Sequence, residues 1–204
     1  MIHFKRNLYY LLGKIHLDID EIDMTHPLLL HVSDTPSIFF SELSRIIKLI
    51  NPELIIHTGD LVDNIKLQLY PGAIRHYERE VLSLLKILQY SSAKEIHISV
   101  GNHDSSEYIH SKSGRILVHD APHKINTHGY EIAFDHYFQN LASLNANLYL
   151  YGHDLSEEPQ ASEAIYLNGI STLNIIDLTD LKIYRYAYPW GIDDARLNKK
   201  GIGI

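Results

Sequence analysis

Six polar side chains stand at or just past the ends of short apolar runs. Asp34 closes "LLLHVSD", and Asp60 follows Gly59 in "LIIHTGDLVDN". Asn102 and His103 follow Gly101 in "EIHISVGNHD", His119 ends "RILVHD", and His153 follows Gly152 in "LYLYGHD". Taken singly, each has an ordinary explanation, because Asp after a strand usually makes a turn or a cap. Taken together they are two carboxylates, an amide and three imidazoles at equivalent places. Carboxylate oxygen mixed with imidazole nitrogen suits a divalent first-row ion such as Mn, Fe, Zn, Ni or Co. The chain has no cysteine, so there is no thiolate site and no disulfide framework. At least half of the 14 histidines are expected to be surface or satisfied core residues. His31 and His57, each three residues before its aspartate and inside a strand, are expected in the core.

For such residues to meet, the elements must bring the strand ends together. Strands are predicted at 28–33, 54–59, 95–101, 115–120 and 148–152. Apolar residues at Phe39, Leu43, Ile46, Ile47 and Ile50 have helical spacing, ended by Asn51-Pro52. A second amphipathic helix runs through Ile74, Tyr77, Val81, Leu84, Leu85 and Leu88. Asp135 is read as the cap of a short helix over 136–146. "EAIYLNG", "TLNIIDL" and "KIYRYAY" read as short strands. Alternating strand and helix predicts a parallel sheet, and the last third predicts an antiparallel meander. In open α/β sheets ligands bind at the carboxyl ends of strands, so these five ends are expected to converge.

At 204 residues and 45% hydrophobic content the chain can build one sizeable core. The division expected is an N-terminal extension over 1–27, a domain over 28–188 and a tail over 189–204. A net charge of -7, without a Lys/Arg block, argues against binding nucleic acid through bulk electrostatics. No apolar window is long enough to span a membrane. "NLYYLLGKIHLDID" is short, lacks a small-residue cleavage site and runs into acids, so no signal peptide is expected. A reducing cytoplasm fits the missing cysteine.

"SDT", "GDLVDN", "GNHD" and "YGHD", in that order, resemble the motifs of the calcineurin-like metallophosphoesterases. The resemblance runs from about Leu28 to about Tyr188, and "YLNGIS" is similar to the Asn-Pro-Gly-Ser turn that follows the last motif in many members. It implies two facing mixed sheets flanked by helices, a four-layer α/β/β/α sandwich. It also implies a two-metal hydrolase that cleaves a phosphoester, monoester or diester, with a metal-activated water. The implied substrate is a phosphoester small molecule or nucleotide. Carried over by position, Asp60 would bridge both metals, Asn102, His119 and His153 would complete the second site, and Asp34 would belong to the first. His103 would touch the phosphoryl oxygen or protonate the leaving group, with Asp104 orienting its imidazole. His123 is a rival to His119.

Two positions depart from the pattern. The family's Asp-x-His is here Asp34-Thr35-Pro36, and its Gly-His-x-His is Gly152-His153-Asp154-Leu155. Both missing imidazoles belong to the first metal. The expectation is a site with one full metal position, or a first position refitted by His123, Asp154, Glu157 or water. Thr35 is also read as a helix N-cap with Pro36 as the first helical residue. The alternative function is a catalytically inactive binding or scaffold protein of the same fold.

Overall fold

The computed structural model describes residues 2–155 and 164–197. Among these residues ten strands form two sheets. They are β1 (Leu28–Val32), β2 (Leu54–His57), β3 (Glu95–Ser99), β4 (Leu117–His119), β5 (His123–Thr127), β6 (Tyr130–Phe134), β7 (Leu148–Tyr151), β8 (Ile165–Asn168), β9 (Thr172–Asp177) and β10 (Ile183–Ala187). The first sheet has the order β10-β9-β1-β2-β3-β4, and the second has the order β5-β6-β7-β8. In the first, β1 to β4 run parallel while β9 and β10 pair antiparallel. In the second, β5 and β6 form an antiparallel hairpin, and β6, β7 and β8 run parallel.

Side chains alternate across β1, and the alternation divides the core. Leu28, Leu30 and Val32 pack with Ile55, Ile96 and Ile98 under the helices α2 (Phe40–Ile50) and α3 (Ile74–Gln89). Leu29 faces the other way and joins Leu54, Ile56 and Ile176 against Ile132, Phe134, Leu148, Leu150 and Leu167 of the second sheet. This inter-sheet layer holds the two sheets face to face. The expected apolar stripes of α2 and α3 are buried, except that Ile74 in the first turn of α3 is only partly so. Asn51 ends α2 in a left-handed conformation, its amide donating to Ile47 O at 2.9 Å. A short helix, α4 (Ser106–Lys112), follows β3, and α5 (Ile192–Arg196) lies in the segment read as tail; the N-terminal α1 spans Ile2–Leu11.

Three local expectations change. The helix over 136–146 is only a 3-10 turn, Phe138–Leu141. Asp135 Oδ1 accepts from Tyr137 N and Asn140 Nδ2, both at 2.8 Å, which holds a tight turn instead. Among the described residues this turn, not an α-helix, covers the outer face of the second sheet, packing Leu141 on Ala133, Tyr149 and Tyr151. The final strands are not one meander, because β8 joins the second sheet beside β7 while β9 and β10 return to the first. Thr35 does not cap a helix. Its hydroxyl bonds His57 Nε2 at 2.7 Å, and Pro36 stands extended before a 3-10 turn, Ser37–Phe39, that leads into α2. Asn64 Oδ1 serves that first turn, accepting from Ser37 N at 2.7 Å. No helix among the described residues is long and apolar enough to cross a membrane.

Candidate metal centre

The carboxyl ends of β1, β2, β3, β6 and β7 meet at one edge of the sandwich. Asp34, Asp60 and His153 all have positive φ, at 49°, 52° and 75°. Left-handed backbone at a non-glycine residue is uncommon and gathers at functional sites. Backbone bonds fix the first two loops together: Asp34 N donates to Gly59 O and Thr35 N to Asp60 O, each at 3.0 Å. Gly101 is required by proximity, because a Cβ there would collide with the carboxylate and amide of Asp60. Gly152 is held in the same way by Ser33 Oγ and Asp34 Oδ2.

His136, absent from the sequence assignment, is central. It follows β6 and is fully buried. Its Nδ1 lies 2.7 Å from Thr58 O, a pure acceptor, so Nδ1 carries a proton and the neutral ring presents the lone pair of Nε2. That lone pair faces Asn102 Oδ1 at 3.0 Å and Asp60 Oδ2 at 3.5 Å, with His153 Nδ1 at 3.2 Å. Asn102 Nδ2 donates to Gln68 Oε1, which leaves Oδ1 as the acceptor turned toward His136. Several acceptors converging on one point repel each other unless a cation lies between them. Ligand atoms about 2.1 Å from an ion and at right angles are about 3 Å apart, close to these separations. Asp34, Asp60 and His136 also offer ligand atoms within 4.8 Å of one another. Asp60, Asn102 and His136, with His153 beside His136, are thus candidate ligands of one divalent ion, and a carbonyl fixes the His136 ring as second-shell partners fix metal-binding histidines.

The acids are crowded. Burial raises the Asp60 carboxyl well above its ordinary range, and the charges of Asp34, Asp104 and Asp63 push it further. Asp63, also buried, is raised to about 7 by burial and by Asp34, against the lowering pull of Lys66. Asp34 Oδ2 accepts from Ser33 Oγ at 2.5 Å and from His153 N at 3.1 Å. Burial lowers the His153 imidazole, with His136 adding to the effect.

His103 and Asp104 separate in role. His103 N donates to Asp60 Oδ1 at 2.8 Å, and its buried Nδ1 has no hydrogen-bond partner. Burial first and Lys66 second lower its imidazole to about 4. The expectation that Asp104 orients it is corrected by the geometry. Asp104 accepts from Asp60 N, Leu61 N, Gly101 N and Tyr77 Oη, at 2.8 to 2.9 Å, which occupies both oxygens. The carboxylate grouped with His103 is Asp63, whose ligand atoms lie within 4.8 Å of those of Asp60 and His103.

His119 is the second correction. It ends β4, an edge strand one place beyond β3, and packs away from this cluster. Its Nε2 lies 3.0 Å from His97 Nδ1, and its ring stacks on His123 at 3.9 Å and meets Phe134 edge-on at 5.3 Å. Burial lowers it to about 4, and its imidazole neighbours add to the shift. His123 belongs to the same stack, so neither it nor His119 joins Asp60, Asn102 and His153. His31 and His57 lie in the core. His31 bonds Thr58 Oγ1 and Asn174 Nδ2, and His57 bonds Thr35 Oγ1 and Gly59 N.

Pro36 and Leu155 bring no donor. Leu155 is exposed, and Asp154 is exposed with its carbonyl accepting from Asn168 Nδ2 at 2.8 Å. Asn168, from "YLNGIS", thus ties the last motif loop to β8. Glu157 lies outside the described residues.

A family model described as calcineurin-like phosphoesterase matches residues 27–199. Among solved structures, that of YfcE, a phosphoesterase from E. coli, is similar with a TM-score of 0.52 at 16% identity, covering 79% of this chain and 99% of that one. A metallophosphoesterase from Sphaerobacter thermophilus gives a TM-score of 0.47 at 9% identity, covering 80% of this chain and 88% of that one. At 16% identity the likeness to YfcE is one of fold. No curated protein sequence matches the chain.

Proposed function

The chain belongs to the calcineurin-like phosphoesterase family, and from that premise we propose that it hydrolyses a phosphoester at a centre with one complete metal position. The observation that carries this reading is His136 Nε2 facing Asn102 Oδ1, Asp60 Oδ2 and His153 Nδ1 across 3.0 to 3.5 Å. When bound there, a divalent ion supplies Lewis-acid polarisation of a phosphoryl oxygen and lowers the pKa of a water.

The chain's own residues supply the rest. Asp60 is held in place through His103 N and through its own amide on Asp104, so its carboxylate is aimed before any ligand arrives. His103 is neutral at pH 7 in the free protein. A phosphoryl anion beside it favours the protonated imidazole, which can then pass a proton to the departing oxygen. Asp34 carries the first half of the centre without an imidazole, since Pro36 and Leu155 stand where the family has histidine.

Metal content per chain, measured with hydrolysis of an aryl phosphate and its diester, tests this. The expected parent holds about one metal and cleaves at least one of the two compounds. Asp60→Ala should lose both properties. His103→Ala should keep its metal and lose roughly 10²–10⁴-fold in turnover. A parent that holds metal yet cleaves neither compound would overturn the catalytic reading in favour of the binding role that Pro36 and Leu155 favour.

A further inference from the structure

Lys66 lies on the loop between β2 and α3, six residues after Asp60. Its carbonyl accepts from Leu69 N at 2.9 Å and Tyr70 N at 2.8 Å, which fixes the turn beneath it. Its side chain runs inward. Lys66 Nζ pairs with Asp63 Oδ1, and the side chains are only 12% and 1% exposed. Lysine is rarely so enclosed unless its charge is used. Asp63 Oδ2 and His103 Nδ1, both buried, have no hydrogen-bond partner, so the cluster around Lys66 still has open valences. Asp63, which the ammonium holds, offers an oxygen within 4.8 Å of ligand atoms of Asp60 and His103, so Lys66 stands at the edge of the candidate centre.

This part of the centre therefore holds a fixed cation beside its carboxylates. We propose that Lys66 is a phosphate-binding residue, its ammonium supplying to a phosphoryl oxygen the positive charge that a second metal would otherwise bring. The inference rests on the single-metal reading above and deepens it. Lysine binds phosphate as a compact point charge with three donors, and its free N–H bonds can serve the anion while Asp63 holds the nitrogen in place. Asp63 thereby positions Lys66 rather than ligating a metal.

Inorganic phosphate is the probe, titrated calorimetrically into metal-loaded full-length protein, with metal content measured in the same samples. Lys66→Met should keep one metal per chain and weaken phosphate binding about tenfold or more. Lys66→Arg should stay within about threefold of the parent, since the charge remains. If Lys66→Met fails to fold because Asp63 is left unpaired, the double variant Lys66→Met with Asp63→Asn removes that burden and should show the same weakening. Phosphate bound equally by parent and Lys66→Met would overturn the proposal, as would two tightly held metals in the parent. In the first case the metal reading stands and only the lysine role falls. A parent that takes up neither metal nor phosphate would bring down both.

Discussion

The side-chain amide of Asn102 donates from Nδ2 to Gln68 Oε1 at 2.8 Å, and that bond decides which of its ends faces His136. Without it the carboxamide can turn over and present N–H bonds to a site built from acceptors. Gln68→Met removes the acceptor at similar length and should weaken metal affinity about 10- to 100-fold, the usual effect of losing a second-shell partner. Gln68→Glu keeps an acceptor oxygen and should hold most of the affinity. Metal titration of both variants checks this, and parent-like affinity in Gln68→Met would mean that His136 alone orients the amide.

Two histidines separate the sequence assignment from the structural one. His136→Ala should reduce metal content as strongly as Asp60→Ala, while His119→Ala should leave it unchanged. Elemental analysis of the purified variants decides. Loss of metal from His119→Ala but not from His136→Ala would restore the original assignment.

Asp104 serves the loops and not the chemistry. Removing its carboxylate leaves the amides of Asp60, Leu61 and Gly101 and the hydroxyl of Tyr77 without their acceptor. Buried donors left unpaired cost about 1–3 kcal/mol each, so Asp104→Ala should lose about 3 kcal/mol or more. Tyr77→Phe removes a single charge-assisted bond and should cost about 1.5–3 kcal/mol. Denaturant unfolding measures both, and a loss under 1 kcal/mol in Asp104→Ala would contradict this account.

Restoring both missing imidazoles should rebuild the first metal position. Pro36→His with Leu155→His is expected to raise metal content from one towards two per chain, and either change alone should do little. Leu155 is exposed, so a histidine there must turn inward to reach the site. A melting curve should accompany the metal assay, because Pro36 sits at the entry to α2. Two metals in the unaltered protein would refute the premise.

His57 gives a pH signature in the core. Burial lowers its imidazole to about 3, and the neighbouring imidazoles His31 and His136 add to the effect. The unfolded group titrates near 6.5. The neutral, bonded form therefore contributes fully above pH 6.5, and its contribution is lost as pH falls through the window from 6.5 to about 3. In His57→Asn, whose Oδ1 can accept from Gly59 N in place of Nδ1, this linkage is gone. The stability gap between parent and variant should narrow on acidification, and a gap that stays constant from pH 7 to pH 4 would rule this out.

Asp34, Asp60, Asn102 and His153 could be found in the sequence because each follows a strongly apolar strand, and those strand ends meet. The same rule would have found His136, since it stands just past Phe134 at the end of β6. The hairpin β5–β6 escaped notice because its runs are short and half-exposed. Its signal was His128-Gly129, whose φ values of 50° and 84° fit a two-residue hairpin turn. His119 drew attention as a strand-end histidine, but β4 is an edge strand and sequence does not reveal strand order. The roles of Asp104, Gln68 and Lys66 depend on which way loop side chains turn, and no periodicity encodes that.

The donors of the proposed metal centre come from different halves of the sandwich. Asp60 and Asn102 follow strands of one sheet, whereas His136 and His153 follow strands of the other. An ion held by all of them is a rivet through two plates. The plates share an apolar layer, yet at this edge the contacts between them are polar and some are mutually repulsive. Loading the ion should suppress the parting of the two layers, and its dissociation should require that they part slightly. Amide exchange at the ends of β6 and β7 then becomes a gauge of occupancy, slowing with bound metal well away from any amide that touches it.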